Sequence, residues 1–413
     1  MTRIALLPSS YPPSLGGVEE LTRHLALALA GGGDHVEVWT GQPDDSMSET
    51  VEVRDELVVR RLPMPLPATN WSAVRRSATT GVRTLFSLRD AVAAFRPDVL
   101  HVQCFGPNGA YASALSRITG RPMVVTLQGE TLMDDADIFE TSRSLRASLR
   151  YALRQAAVVT ACSSFTLDDA ESRFGLNEGR GRVIPNGVDL TATPSAGPVR
   201  SGVLPDTPYI LALGRVVAKK GFDLLLEAYA AMAGQFSAVG LVIAGTGAEL
   251  EGLRRRAAEL GVANRVRFVG RLDREEVAAA MADAEVFVMP SRLEPFGIVI
   301  LEGWRAGTAV VATTRGGPPE LVRDGQDGIL VDPFDRRQLT GALERLLGDD
   351  RLRRSVADAG RARVTSFAWP VVVDRYRDVY ASVTGTAVGG APAEGRPRAA
   401  PRDDRARQGE AVG

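Results

Sequence analysis

Two glutamates, Glu294 and Glu302, stand in the stretch SRLEPFGIVILEG from Ser291 to Gly303. The apolar run EVFVMP precedes them and another begins at Gly297, a pattern that predicts a strand passing through a loop into a helix. Glu294 then lies in the loop at the carboxyl end of the strand, and Glu302 in the second turn of the helix. The amino end of that helix carries the N–H groups of Phe296, Gly297 and Ile298, and free amides backed by a helix dipole attract anions. One carboxylate can accept from sugar hydroxyls and the other from ribose hydroxyls, with a diphosphate held between them, so the arrangement suits a sugar nucleotide. Two glutamates at this spacing also fit a solvated surface, and the reading depends on what accompanies them.

The first companion is YILALGRVVAKKGFDLLLEAY. An apolar strand ends at Gly214, a helix begins near Gly221, and Arg215 and Lys220 bracket the loop between. Arginine can grip phosphate with a fork and lysine as a point charge, although two solvated loop cations would leave the same pattern. The second is LVIAGTGAELEGLRRR, a strand, Gly245-Thr-Gly247 and a helix. Leu250 occupies the third glycine position of a dinucleotide fingerprint, so Gly245 and Gly247 are expected instead to let a ligand approach the backbone.

Together these residues resemble glycosyltransferase family 4, the retaining transferases of the GT-B fold. The resemblance runs from Arg3 to about Val383. It is carried by GGVE at Gly16–Glu19, IPNGVD at Ile184–Asp189, Gly214-Arg215 with Lys220-Gly221, Glu294 with Glu302, and Gly316-Gly317 before Glu320. It implies an α/β protein of two Rossmann-like, doubly wound parallel-sheet domains facing a central cleft. It further implies that Arg215 and Lys220 bind the donor diphosphate, Glu294 the donor sugar hydroxyls and Glu302 the ribose. The backbone near Leu272 would meet the base, and Gly16 and Gly17 would line the cleft from the other side. Arg215, Lys220 and Glu294 are thus the expected catalytic set, and a UDP- or GDP-sugar the expected donor. The expected acceptor is a lipid, a saccharide or a small molecule. Two rivals stand beside this reading: a sugar-nucleotide epimerase on the same fold, and a non-catalytic sugar-nucleotide-binding protein.

With 413 residues, 45% hydrophobic and a net charge of −1, the chain can bury two sizeable cores and has no global field to recruit nucleic acid. Cys104 and Cys162 each follow an apolar strand and read as buried free thiols. A signal peptide and an apolar run of membrane-spanning length are both missing from the pattern, so a cytoplasmic location is expected.

Positioning falls to two strand–helix series, RIALLP to RVIP and YILAL to GILV. Such alternation predicts parallel sheets with ligands at the carboxyl ends of the strands. Expected boundaries are 1–195 for an acceptor-side domain and 206–366 for a donor domain. Residues 367–384 are expected to form a helix crossing back to the first domain, and 385–413 a disordered tail. The segment from Leu190 to Pro208 reads as the linker.

The remaining signals are more open. His101, inside DVLHVQC, reads as a satisfied buried imidazole; His24 reads as exposed on the first helix, and His35 as structural. Relatives in the family carry a histidine where this chain has Gln128, and glutamine cannot take a proton. A retaining displacement in which the departing phosphate accepts the acceptor's proton does without one. Gln128 and Glu130, with Asp134 and Asp135, are candidate acceptor contacts or a solvated loop. The cations already named make an essential metal unnecessary, so neither metal nor cofactor is expected. Arg143, Arg146, Arg150 and Arg154 recur along a helix backed by Leu145, Leu149 and Leu153, and Arg75, Arg76 and Arg83 continue the bias. These are solvated faces, or a patch for an anionic membrane or a charged acceptor.

Overall fold

A computed structural model describes residues 1–14, 16–42, 48–65, 71–134, 137–191 and 204–385, with 71–78 described by backbone alone. Most of the expected linker, Asp135 and the tail beyond Gly385 lie outside the described residues.

The first unit is built on β1 (Arg3–Pro8), β2 (His35–Gly41), β3 (Thr50–Arg54), β4 (Leu57–Leu62), β5 (Val99–Gln103), β6 (Met123–Leu127), β7 (Val158–Ala161) and β8 (Gly181–Val183). Its helices are α1 (Gly17–Gly31), α2 (Trp71–Phe95), α3 (Pro107–Thr119), the short α4 (Glu130–Met133) and α5 (Ile138–Thr141), α6 (Arg143–Gln155) and α7 (Ser164–Phe174). The strand order is β3-β4-β2-β1-β5-β6-β7-β8, parallel except where β3 pairs antiparallel with β4. The hairpin β3–β4 is an addition to the expected series. TVEVR is largely exposed, so it lacks the buried apolar run by which the other strands announce themselves.

The second unit holds β9 (Tyr209–Leu213), β10 (Gly240–Ala244), β11 (Val266–Gly270), β12 (Val286–Met289), β13 (Ala309–Thr313) and β14 (Ile329–Val331), all parallel in the order β11-β10-β9-β12-β13-β14. Around it lie α8 (Phe222–Met232), α9 (Leu250–Glu259), α10 (Arg274–Asp283), α11 (Ile298–Ala306), α12 (Pro318–Leu321), α13 (Arg336–Gly348) and α14 (Asp350–Arg363). The central strands are covered on both faces, which is why VFVM and AVVAT read as unbroken apolar runs. Burying Leu211 or Phe287, each fully enclosed, is worth about 2 kcal/mol.

Strand order reverses between β1 and β5 and again between β9 and β12. Ligands of open α/β sheets bind outside the carboxyl ends of strands at such switch points. The loops after β1, β9 and β12 are the ones that carry Gly16, Arg215 and Glu294. The final helix, α15 (Trp369–Thr384), starts with Pro370 in its first turn and returns to the first unit, packing on α1 and β5. It buries Val372, Val373, Tyr376, Val379 and Tyr380 at helical spacing.

Candidate active site

The loops of the second unit lock onto one another before any ligand is considered. Lys220 ends a short 3-10 turn, Ala218–Lys220, and Gly221 follows in the left-handed conformation. A Cβ on Gly221 would lie 2.1 Å from the Pro290 carbonyl oxygen, so the loops after β9 and β12 touch through backbone. Arg292 makes a forked pair with Asp223 at 2.7 and 2.6 Å, and its N–H donates to the Lys219 carbonyl at 2.9 Å. Held this way, Lys220 Nζ donates to Glu294 Oε2 at 2.7 Å, and Ser291 Oγ donates to the same oxygen at 3.2 Å. Glu294 is buried, and its backbone pairs with the loop after β13: its N–H donates to Arg315 at 3.0 Å, and its carbonyl accepts from Gly317 at 2.8 Å. Gly316 must be glycine here, since its φ is +112° and a Cβ would meet the Glu294 carbonyl oxygen.

Gly297 caps α11 in the left-handed region. The N–H groups that open this helix have no partner within it. Phe296 is buried in the same apolar cluster as Leu272, Met289 and Ala244. Glu302 sits in the second turn of α11 as expected. Burial pushes its carboxyl upward, against the pull of Arg305 and Arg274, and Glu20 of the first unit adds to the rise. The side chain of Leu272 belongs to the core, leaving its backbone at the turn between β11 and α10.

Gly245 and Gly247 are explained differently from the sequence expectation. A Cβ on Gly245 would lie 1.8 Å from the Gly214 carbonyl oxygen, and one on Gly247 2.2 Å from that of Val216. Close packing of the neighbouring loop, rather than ligand approach, requires glycine at both. Gly17 is the opposite case: a Cβ there meets nothing within 4 Å, so chain packing does not explain it. Gly16 is extended, and its carbonyl accepts from Glu20 at 3.2 Å.

The two units meet across these loops. Gly129 lies against Pro295, and Ser163 Oγ donates to the Pro295 carbonyl at 2.6 Å. Arg215 is exposed and donates to the Met133 carbonyl at 3.2 Å. Lys219, which the sequence reading passed over for its neighbour, donates to the carbonyls of Leu132 at 3.1 Å and Asp134 at 2.8 Å. Glu320 crosses to the amino end of α7, accepting from Ser164 N and Oγ at 2.8 and 2.9 Å and from Phe165 N at 3.0 Å. Only the position of Glu320 in the Gly316-Gly317 motif marked it beforehand.

On the first unit's side, Gln128 is held at both ends of its amide. Asn186 Nδ2 donates to its Oε1 at 2.9 Å, and its Nε2 donates to Gln103 Oε1 at 3.2 Å. Gln103 continues to Tyr376 and His101, each at 3.4 Å. His101 is satisfied, with 2.7 Å contacts to Tyr380 and Thr126, and burial pushes its pKa down to about 3. Glu130 does not offer a free carboxylate: its oxygens accept from Phe105 N at 2.5 Å and Gln128 N at 2.6 Å. Burial raises it to about 7. Its place is therefore loop organisation beside the cleft. His24 is half-buried, not exposed; it stacks on Trp369 with centroids 6.1 Å apart, and burial lowers its pKa to about 4. Both cysteines are free and buried, as expected. Among the described residues no cluster of three or more metal-binding side chains occurs, and no helix is long and apolar enough to cross a membrane.

Residues 15–192 match the family described as Glycosyltransferase Family 4, and residues 199–363 match Glycosyl transferases group 1. The chain belongs to glycosyltransferase family 4. An alpha-D-kanosaminyltransferase of Streptomyces kanamyceticus is 30% identical to this glycosyltransferase over 63% of the chain and 70% of the relative. A lipopolysaccharide core biosynthesis glycosyltransferase, LpsE of Rhizobium meliloti, is 39% identical over 43% of this chain and 51% of its own, about half its length. The sucrose-phosphate synthase of Thermosynechococcus elongatus superposes with a TM-score of 0.76 at 25% identity, over 94% of this chain and 100% of that one. The fold of this glycosyltransferase is GT-B, and its cleft between two parallel-sheet units is the one the motifs imply.

Proposed function

We propose that this glycosyltransferase moves a hexose-type sugar from a UDP- or GDP-sugar to a hydroxyl of a lipid, saccharide or small-molecule acceptor, with retention at the anomeric carbon. The observation that carries the reading is the Lys220–Glu294 pair at 2.7 Å, set beside the open amino end of α11. Glu294 accepts from the sugar hydroxyls and Glu302 from the ribose. The amides of Phe296, Gly297 and Ile298, with Lys220 and a swung Arg215, receive the diphosphate. Charge grows on that diphosphate as the glycosidic bond breaks, and fixed donors aimed at it are worth about 3 kcal/mol each. The departing phosphate oxygen accepts the proton of the attacking hydroxyl, so Gln128 needs no basicity. Closure about the two crossings between the units excludes water. The base rests on backbone near Leu272, and Gly16 and Gly17 border the sugar from the other side.

A thermal-shift panel of UDP-, GDP-, ADP- and dTDP-sugars tests the donor. A ligand at a hundredfold over its Kd adds about 2.7 kcal/mol, so one nucleotide should raise the midpoint in the wild type and not in Lys220→Ala/Glu302→Ala. A flat response to all four removes the donor assignment. The anomeric configuration of the product by NMR tests retention, and undiminished turnover in chelator is the expected result for a metal-independent reaction.

A further inference from the structure

α2, α3 and α6 lie side by side on one face of the first sheet, with α3 packed against both of the others. Their sequences carry a single acid, Asp90, in a chain whose charges otherwise balance. Arg83 and Arg89 of α2, Arg117 of α3, and Arg143, Arg150 and Arg154 of α6 are all exposed, and among the described residues none pairs with a carboxylate. α7, packed against α6, carries Asp168, Asp169 and Glu171; Asp169 and the nearby Glu140 pair with Arg173, and Glu171 accepts from Gly179 N at 3.3 Å. The same helices also expose large apolar side chains: Val82 at 54%, Phe86 at 59%, Ile118 at 59% and Tyr151 at 46%. Val82 and Phe86 are one turn apart and share a stripe.

We propose that this three-helix face docks on the surface of an anionic phospholipid bilayer, with the arginines on headgroup phosphates and Phe86, Val82 and Tyr151 in the interfacial layer. A solvated face needs no aromatic or branched apolar groups among its cations, and a duplex held through its phosphates would use the cations alone. Arginine with intervening aromatics is the composition that suits a headgroup boundary. In all three helices the chain runs from the cleft end of the sheet downward, so docking leaves the carboxyl edge of the strands open sideways to an acceptor held at the surface. The proposal does not rest on the donor assignment.

Sedimentation of the full chain with sucrose-loaded vesicles tests it. The protein should pellet with phosphatidylglycerol–phosphatidylcholine vesicles at low salt and not with pure phosphatidylcholine, the binding weakening as salt rises. Arg143→Glu/Arg150→Glu/Arg154→Glu should lower binding at least about tenfold. Arg83→Glu/Arg89→Glu should do the same from the other edge, and Phe86→Ser should remove the part that survives moderate salt. No pelleting with anionic vesicles at low salt overturns the proposal, as does pelleting that both charge-reversed proteins retain. Thermal midpoints and the nucleotide-sugar shift of each variant show that fold and donor site are intact, so failure here is separate from failure there.

Discussion

The ammonium of Lys220 and the carboxylate of Glu294 meet at 2.7 Å across 74 residues of chain, joining the loops after β9 and β12. Neither is well exposed, at 18% and 10% for the side chains. Removing one partner strands the other, which costs about 3 kcal/mol in a buried pair. Lys220→Ala should therefore lower the melting midpoint and cut turnover far more than donor affinity. Lys220→Met/Glu294→Leu should recover much of the stability while staying inactive. A double variant with restored turnover would show the pair to be scaffolding alone.

Glu320 should act as a clasp between the units. Glu320→Ala leaves three donors at the amino end of α7 without an acceptor, at a cost of about 1 kcal/mol for an exposed site. Faster hydrogen exchange at Ser164 and Phe165 and a larger radius of gyration by X-ray scattering are expected. Unchanged exchange at those two amides would remove the clasp.

The chain Asn186–Gln128–Gln103 fixes which way the Gln128 amide faces the cleft. Asn186→Ala and Gln128→Ala should each slow turnover about tenfold while the donor's thermal shift is kept, and the double variant should be little worse than either. Additive losses would mean the two act separately.

His101 sets a pH dependence with a definite sign. Its folded pKa of about 3 lies below the unfolded value of about 6.5, so its contribution is complete above pH 6.5 and is lost as pH falls toward 3. The loss reaches on the order of 3 kcal/mol by pH 4. Glu130, raised to about 7, works oppositely, removing stability as pH rises from about 4.5 to 7. His101→Gln should flatten the midpoint-against-pH curve between pH 6.5 and 4. A slope unchanged by that substitution would place the titration elsewhere.

The strands and the loop positions of Arg215, Lys220, Glu294 and Glu302 were legible because buried parallel strands write unbroken apolar runs ending in glycine or proline. Strand β3 was not, since an exposed antiparallel edge has no such signature, and the two arginines of β4 interrupt its apolar run although it is largely buried. The reasons behind Gly245 and Gly247 were hidden too, because a glycine records a close approach without saying what approaches. Lys219 and Glu320 take their places from contacts between the units, and Asn186 from a contact with Gln128 within the first; pairings over such distances leave no local pattern. His24 looked exposed by helical spacing alone, but Trp369, far along the chain, covers it.

The return of α15 has a consequence for how the molecule is made. Tyr376 and Tyr380 complete the polar chain at His101, and Val372, Val373 and Val379 close the apolar layer over Ile4, Leu25 and Val99. A ribosome finishes the first sheet long before it reaches these residues, with the whole second unit still to be translated. At ordinary elongation rates the wait is on the order of ten seconds or more. The first unit therefore emerges with one face uncovered and is sealed only by the last helix of the chain. A nascent protein stalled before Trp369 would hold every residue of the proposed donor pocket and still be half-finished on the acceptor side.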